Sequence, residues 1–162
     1  MYKIGIITAS DTCFKGNRVD KSGELVKEIV EKNGYEVEKY CVLPDEKEKI
    51  AEELIYMADV LQVSLILTTG GTGFSPRDIT PEATKLVLER EALGISEAMR
   101  INSLSITKRA MLSRGISGIR GRTVIVNLPG SPKAVSESLE FIIAELEHGI
   151  QILRQEDSEC AR

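Results

Sequence analysis

The sequence has no tryptophan, one histidine and three cysteines among its 162 residues. A single histidine, His148, cannot form a multi-histidine metal centre, and its place in the predicted last helix disfavours a serine-histidine-aspartate triad. Cys13, Cys41 and Cys160 are odd in number and lack a metal-type spacing, which favours a reducing compartment over a disulfide scaffold. We therefore expect a cytoplasmic protein without a nucleophilic side chain of its own.

An excess of basic charge and a long apolar run are also missing. The 25 acidic residues outnumber the 21 basic ones, so the net charge of −4 gives no electrostatic footprint for nucleic acid or an anionic membrane. The densest basic stretch, 108–122, is typical of a solvated face, with an anion-binding rim as the alternative. No apolar run approaches about 18 residues, and residues 1–8 show no signal-peptide pattern. We expect neither secretion nor a membrane partner.

The chain does contain the alternating pattern of an α/β domain. Its length suits one domain over 1–162, with 155–162 expected to be a frayed tail. Short apolar or alternating runs predict strands at 2–8, 35–43, 63–67 and 124–126. With helical periods between them, the pattern predicts a three-layer α/β fold with a mainly parallel sheet, helices on both faces and a short β-hairpin near 115–123.

Several helix boundaries follow from capping residues. Ser22 is predicted to cap one helix, and Ser96 to cap another that runs to about Ser103. Residues 46–61 and 81–90 have helical periods. Ser131 followed by Pro132 is typical of the start of the last helix, which is predicted to reach residue 153.

The most distinctive segment is the glycine turn, Thr68-Thr-Gly-Gly-Thr-Gly73, between a predicted strand and a helix start at Thr80-Pro-Glu82. Glycines at 70, 71 and 73 permit positive φ angles and close approach, so several backbone N–H groups can point at one anion. The alternative is a tight connection without a ligand. The segment lacks the third glycine of the dinucleotide-binding fingerprint, and it lacks the lysine of a P-loop. Classical NAD binding and P-loop chemistry are therefore disfavoured.

Carboxylates accompany this turn. Asp45 follows the second predicted strand, and Asp78 follows the turn itself. In parallel sheets, ligands bind outside the carboxyl ends of strands, and paired carboxylates there suit a Mg²⁺ ion that bridges to a polyphosphate. Each aspartate can instead be a helix cap or part of an acidic first turn. Together with Asp11 and Asp20 they are also compatible with one acidic cluster.

Three separated motifs identify a family resemblance. They are the glycine turn, Pro76-Arg-Asp-Ile-Thr-Pro-Glu82 and Leu128-Pro-Gly-Ser-Pro132, supported by Ser10-Asp-Thr12, Asp20-Lys-Ser-Gly23 and Leu43-Pro-Asp-Glu46. Together they resemble the MogA/MoaB family of molybdenum cofactor biosynthesis, which is similar to the G domain of gephyrin. The resemblance covers essentially the whole chain in order.

The resemblance implies a molybdopterin adenylyltransferase that transfers AMP from Mg-ATP to the terminal phosphate of molybdopterin and releases pyrophosphate. By motif match, Asp45 and Asp78 are the implied catalytic carboxylates and Mg²⁺ ligands. Residues implied to bind the nucleotide or the pterin are Ser10, Asp20, Ser22, Gly23, Thr69, Gly70, Gly71, Thr72, Gly73, Ser113, Asn127, Pro129, Gly130, Ser131 and Pro132. Glu97 is a weaker candidate, and Arg77 is expected to pair with either a phosphate or a loop carboxylate.

The resemblance also implies a homotrimer and a molybdenum insertase as a possible partner. Two alternatives remain open. One is a molybdopterin-binding scaffold of the MoaB-like branch without turnover. The other is a nucleotide pyrophosphatase like the related domain of CinA proteins.

Overall fold

The structure, a computed structural model, describes residues 1–156. Those residues form one mixed sheet whose strands are Lys3–Ala9 (β1), Glu36–Leu43 (β2), Leu65–Thr69 (β3), Arg90–Glu91 (β4), Ser117–Arg120 (β5) and Thr123–Leu128 (β6). The strand order is β2-β1-β3-β6-β5-β4. The pairs β2-β1, β1-β3 and β3-β6 are parallel, whereas β6-β5 and β5-β4 are antiparallel.

Helices connect the strands and cover the sheet. They are Asp11–Phe14 (α1), Lys21–Lys32 (α2), Lys47–Ile55 (α3), Thr80–Val87 (α4), Leu93–Leu104 (α5) and Pro132–Arg154 (α6), with a π-helical turn at Tyr56–Val60 and a 3₁₀ segment at Lys108–Leu112. Among residues 1–156, no helix combines the length and the apolar character needed to span a membrane.

The sheet is buried on both faces, which explains the apolar runs of its central strands. In β1, Ile4 and Ile6 pack against α2 and α6, whereas Ile7 lies in the cluster on the opposite face with residues of α3 and α4. Successive side chains of a strand point to opposite faces, so a strand between two layers must be apolar at nearly every position. This arrangement confirms the predicted three-layer α/β fold.

Most of the predicted helices and strands are present, although some of their boundaries differ from the prediction for local reasons. The hairpin is confirmed: β5 and β6 pair through Arg120 and Thr123 around Gly121, which has a φ of +54°. The last helix is capped by Ser131, whose Oγ accepts a hydrogen bond from the N–H of Ala134 at 3.3 Å. Gln155 ends this helix in the left-handed region, and the rest of the expected frayed tail, 157–162, lies outside the described residues.

Three boundary predictions were wrong. Asp20, not Ser22, caps α2, because its Oδ1 accepts the N–H of Gly23 at 2.9 Å. The helix predicted for 81–90 is α4 and ends at Val87, because Arg90 enters the short edge strand β4. Ser96 caps nothing: it lies inside α5, and its hydroxyl donates to the carbonyl of Leu93 at 3.0 Å. The helical stretch predicted for 46–61 is confirmed: it consists of α3 and the π-helical turn that follows it directly.

Candidate active site

The candidate site lies at the carboxyl ends of the parallel strands, where the sheet order reverses. The chain passes from β1 to β2 on one side and then returns to β3 on the other side of β1. The strands end at one level, since Ala9 pairs with Leu43 and Thr69 pairs with both Thr8 and Leu128. The loops that follow these strands therefore meet above the crevice in which open α/β sheets bind ligands.

The glycine turn packs tightly against the end of β1. Gly70 and Gly71 have φ angles of +90° and +68°, a region that side chains rarely adopt. A Cβ atom on Gly70 would collide with the carbonyl oxygen of Ala9, and one on Gly71 with the hydroxyl of Thr80. The turn is therefore restricted to glycine at these positions by both conformation and space.

The turn also has backbone donors available for a ligand. Within residues 1–156, the N–H groups of Gly71, Thr72 and Gly73 donate to no protein acceptor. Adjacent N–H groups without partners at a strand-to-helix connection form a site for a phosphate oxygen.

Two carboxylates border this turn. A Cβ atom on Gly71 would lie 3.4 Å from Oδ1 of Asp45, and one on Gly73 would lie 2.9 Å from Oδ2 of Asp78. The same Asp78 oxygen accepts the N–H of Ser75 at 2.9 Å, which fixes the carboxylate beside the turn. The structure thus brings together the two aspartates that the sequence motifs single out.

Asp45 and Asp11 are joined by two reciprocal hydrogen bonds. The N–H of Asp11 donates to Oδ2 of Asp45 at 2.9 Å, and the N–H of Asp45 donates to Oδ1 of Asp11 at 3.0 Å. Burial raises the pKa of Asp45 above its ordinary value, and the negative charges of Asp11 and Asp78 add to this rise. The ionised Asp45 carboxylate is therefore in an environment that favours a bound cation.

Arg77 pairs with a carboxylate, one of the two kinds of partner expected from the sequence. Its Nε and Nη2 atoms donate to the two carboxylate oxygens of Asp11, both at 3.0 Å. This bidentate pair lowers the pKa of Asp11, and the N–H of Asp45 lowers it further. In this structure Arg77 pairs with a loop carboxylate.

Asp20 does not join Asp11, Asp45 and Asp78, so the acidic cluster considered from the sequence is wrong. Besides capping α2, Asp20 accepts a hydrogen bond from the hydroxyl of Tyr40. No group of three or more His, Cys, Asp or Glu side chains in residues 1–156 is placed to hold a metal ion. Two carboxylates are still compatible with Mg²⁺, which keeps several waters and takes its other ligands from substrate phosphates.

Several other predicted side chains are already engaged within the protein. Asn127 is 2% exposed, and its amide bonds the N–H of Ile116 and the hydroxyls of Thr68 and Thr84 at 2.9–3.1 Å. The hydroxyls of Ser22 and Thr69 donate to the carbonyls of Gly130 and Pro129 at 2.7 and 2.6 Å, respectively. These side chains shape the loop 127–132 and pin it to its neighbours.

Two cavities flank that loop. One, of about 620 Å³, lies beside Ser10, Asp20, Ser22, Thr69 and the residues 130–132, with Arg18 and Lys21 in its wall. The other, of about 380 Å³, is lined by Ser113, Asn127, Pro129 and Ser131 together with Arg100 and Arg109. Neither wall contains Asp45, Asp78 or Gly71–Gly73. The predicted site residues therefore divide between two cavities and the glycine turn.

Residues 5–148 match the family described as "Probable molybdopterin binding domain". The chain belongs to this molybdopterin-binding family. It is 42% identical over 150 residues to the molybdenum cofactor synthesis protein cinnamon of Drosophila melanogaster, with 92% of this chain aligned. The alignment covers only 25% of cinnamon, so the chain spans about a quarter of the length of that relative.

Other members are similar in size to this chain. The molybdopterin adenylyltransferase of Helicobacter pylori strain J99 is 40% identical over 153 residues, which cover 93% of this chain and 86% of that protein. The crystal structure of the molybdopterin biosynthesis enzyme MoaB from Thermus thermophilus superposes with a TM-score of 0.91 at 45% identity, covering 96% of this chain and 98% of that one. The resemblance to the MogA/MoaB family is thereby confirmed.

Within this molybdopterin-binding domain, sequence reasoning missed Asp11 and Arg114 as site residues. Asp11 belonged to a quoted motif, but its pairing with Asp45 depends on residues 34 positions apart. Arg114 lies next to the predicted Ser113, and its side chain reaches across to the loop after the glycine turn. Its position in a basic stretch made it look like part of a solvated face.

Proposed function

We propose that the protein is a molybdopterin adenylyltransferase, which transfers AMP from Mg-ATP to the terminal phosphate of molybdopterin. The observation that carries the proposal is the glycine turn with its available N–H donors between the carboxylates of Asp45 and Asp78. Similarity to the Helicobacter pylori molybdopterin adenylyltransferase over most of both chains supports it.

The reaction needs no nucleophilic side chain. An oxygen of the pterin's terminal phosphate attacks the α-phosphorus of ATP, the bond to the bridging oxygen breaks, and pyrophosphate leaves with the electron pair of that bond. Catalysis then depends on holding two anions in line and on neutralising their charge. The N–H groups of Gly71, Thr72 and Gly73 supply donors for one phosphate group.

Asp45 and Asp78 would hold the Mg²⁺ ion. Their oxygens border the same turn, and burial beside two like charges favours a cation at Asp45. When bound, Mg²⁺ neutralises phosphate charge and polarises the phosphoryl oxygens. Asp11 orients Asp45 through the reciprocal hydrogen bonds, and Arg77 fixes Asp11.

Two substrates need two binding regions, and two cavities adjoin the loop 127–132. We assign one substrate's organic part to each cavity, with both phosphate groups directed to the glycine turn. Arg18 and Lys21 on one side and Arg100 and Arg109 on the other supply positive charge for anionic substrates.

The test is incubation of the purified protein with molybdopterin, ATP and Mg²⁺, followed by detection of adenylated pterin and pyrophosphate. We expect product only when all three are present, and none after chelation of the metal. The Asp45→Ala, Asp78→Ala double variant is expected to be inactive but folded. Normal turnover by that variant would refute the mechanism.

Tight molybdopterin binding by the wild-type protein without any turnover would favour the scaffold alternative, and hydrolysis of ADP-ribose without pterin would favour a pyrophosphatase.

A homotrimer in the cytoplasm, built from one domain per chain and able to dock a molybdenum insertase, belongs to the same proposal. Within residues 1–156, Cys13 and Cys41 form no disulfide, which is compatible with the proposed reducing compartment. Sedimentation analysis tests the trimer, and co-purification with a molybdenum insertase tests the docking.

A further inference from the structure

Arg114 binds the loop after the glycine turn at three separate points. Its Nε donates to the carbonyl of Gly73 at 2.7 Å, its Nη2 donates to the carbonyl of Asp78 at 2.6 Å, and its Nη1 pairs with the carboxylate of Glu82. Its backbone N–H also donates to the carbonyl of Thr72 at 2.8 Å. One guanidinium therefore joins both ends of the loop 73–78 to the start of α4.

Besides Arg114, Arg77 ties the loop to the start of α1 through two hydrogen bonds of 3.0 Å to the carboxylate of Asp11. Phe74 is 71% exposed, and residues 74–77 are all exposed, so apolar packing does not fix their position. Inside the loop, Ser75 and Asp78 exchange two hydrogen bonds of 2.9 Å, which shape it locally. Those bonds set the form of the loop, whereas Arg114 and the Arg77–Asp11 pair hold it relative to the sheet.

We propose that Arg114 is a positioning residue for Asp78 and the glycine turn, an inference that rests on the proposed function. By holding the carbonyls of Gly73 and Asp78 at one planar group, it keeps the Asp78 carboxylate in place beside the N–H donors of the glycine turn. Each of the three guanidinium nitrogens already has a protein acceptor, and the side chain is 33% exposed. We therefore assign Arg114 a role that acts through the loop.

The guanidinium is specifically suited to this task. Its donors lie in one rigid plane and reach two carbonyls and a carboxylate together, whereas a lysine ammonium is a single point charge on a flexible stem. Arg114→Lys is therefore expected to behave like Arg114→Gln, not like the wild type. A role that required only positive charge would be restored by lysine.

Arg120 offers a matched control. It also donates to a carboxylate and a carbonyl, with Asp59 and Val87 as acceptors at 2.6–3.0 Å, but these residues lie outside the candidate site. Arg120→Gln removes a comparable set of hydrogen bonds without touching the loop 73–78. Glu82→Gln is a milder second variant. It leaves Arg114 in place and removes only the negative charge of its partner.

The first measurement is amide hydrogen exchange at Ser75 and Asp78, and it needs no substrate. We expect exchange at both amides to be faster by about tenfold or more in Arg114→Gln, as for the loss of a charge-assisted hydrogen bond. A smaller increase is expected in Glu82→Gln, and no increase in Arg120→Gln. Unchanged exchange in Arg114→Gln would overturn the proposal.

The second measurement separates kcat from KM in the adenylyl-transfer assay. Displacement of a reacting group by about 1 Å lowers the rate by about a hundredfold. We expect such a fall in kcat for Arg114→Gln and Arg114→Lys, with KM for both substrates nearly unchanged. A raised KM with normal kcat, or a kcat equal to that of Arg120→Gln, would overturn the positioning role. Absence of turnover in the wild type would refute the proposed function, and the exchange measurement would still decide the role of Arg114.

Discussion

Asp11 and Asp45 hold each other through two reciprocal hydrogen bonds, although 34 residues separate them in the chain. Each carboxylate accepts the backbone N–H of the other residue. The pair ties the end of β1 to the end of β2 and leaves Oδ1 of Asp45 directed to the glycine turn. The two carboxyl groups nevertheless have pKa shifts of opposite direction: burial raises the pKa of Asp45, whereas the hydrogen bonds from Arg77 lower the pKa of Asp11.

Asp45→Asn is expected to increase thermal stability while it removes activity. The pKa of Asp45 is raised in the folded state, so the ionised group opposes folding above that pKa, and this effect fades as pH falls through it. Asparagine stays neutral and can still accept the N–H of Asp11. We expect a higher Tm than the wild type at pH 7, a smaller difference at acidic pH, and a loss of adenylyl transfer of about a hundredfold or more.

Asp11→Asn is the matched control, and its effect on Tm is expected to have the opposite sign. The pKa of Asp11 is lowered by Arg77, so its ionised form stabilises the fold at neutral pH, and that stabilisation is lost as pH falls through the folded-state pKa. Its Tm should lie below that of the wild type at pH 7. Equal Tm values for the two variants would contradict the assignment of these shifts.

Gly71→Ala is expected to destabilise the protein more than Gly16→Ala. Both glycines have positive φ angles, +68° and +77°, which cost alanine about 1–2 kcal/mol. At Gly16 the added methyl group meets nothing within 4 Å, whereas at Gly71 it collides with Thr80 beside Asp45. Urea denaturation measures the difference in unfolding free energy, and similar values for both variants would show that the turn is not closely packed.

Asn127→Leu is expected to reduce the free energy of unfolding by about 3 kcal/mol. The substitution keeps the size of the side chain but leaves the N–H of Ile116 and the hydroxyls of Thr68 and Thr84 without their buried partner. Asn17→Leu, at an exposed position, serves as the control. Chemical denaturation tests this expectation, and a stable variant with an altered KM would instead indicate direct contact between Asn127 and a substrate.

Lys21→Ala and Arg109→Ala are expected to affect different substrates. Lys21 lines the larger of the two cavities that adjoin the loop 127–132, and Arg109 lines the smaller one. Removing one charge that contacts a phosphate or carboxylate weakens binding by about tenfold, or about 1.4 kcal/mol. We expect each variant to raise the KM for either ATP or molybdopterin, but not for both. A rise in both constants for either variant would mean that the cavities do not separate the substrates.

Much of the fold was predictable because local patterns determine it. The continuous apolar runs of β1 and β3 required burial on both faces, and Ser131 with Pro132 defined the start of α6. Helix α5 was misplaced because its first turn contains Gly94 and has no side-chain cap. Its start at Leu93 coincides with the packing of Ser96 against Ser117 in β5, a contact between residues 21 positions apart.

The sequence by itself determined the layered α/β architecture, the family, and the motifs that contain the glycine turn, Asp45 and Asp78. Hydrophobic period, turn chemistry and motif spacing are all local properties of the chain. Only the tertiary structure decided which of the polar side chains are already bonded within the protein. Asp20, Ser22, Thr69 and Asn127 are engaged within the protein, whereas Arg77 pairs with Asp11. Such pairings depend on strand order and register, which bring distant residues to one sheet edge.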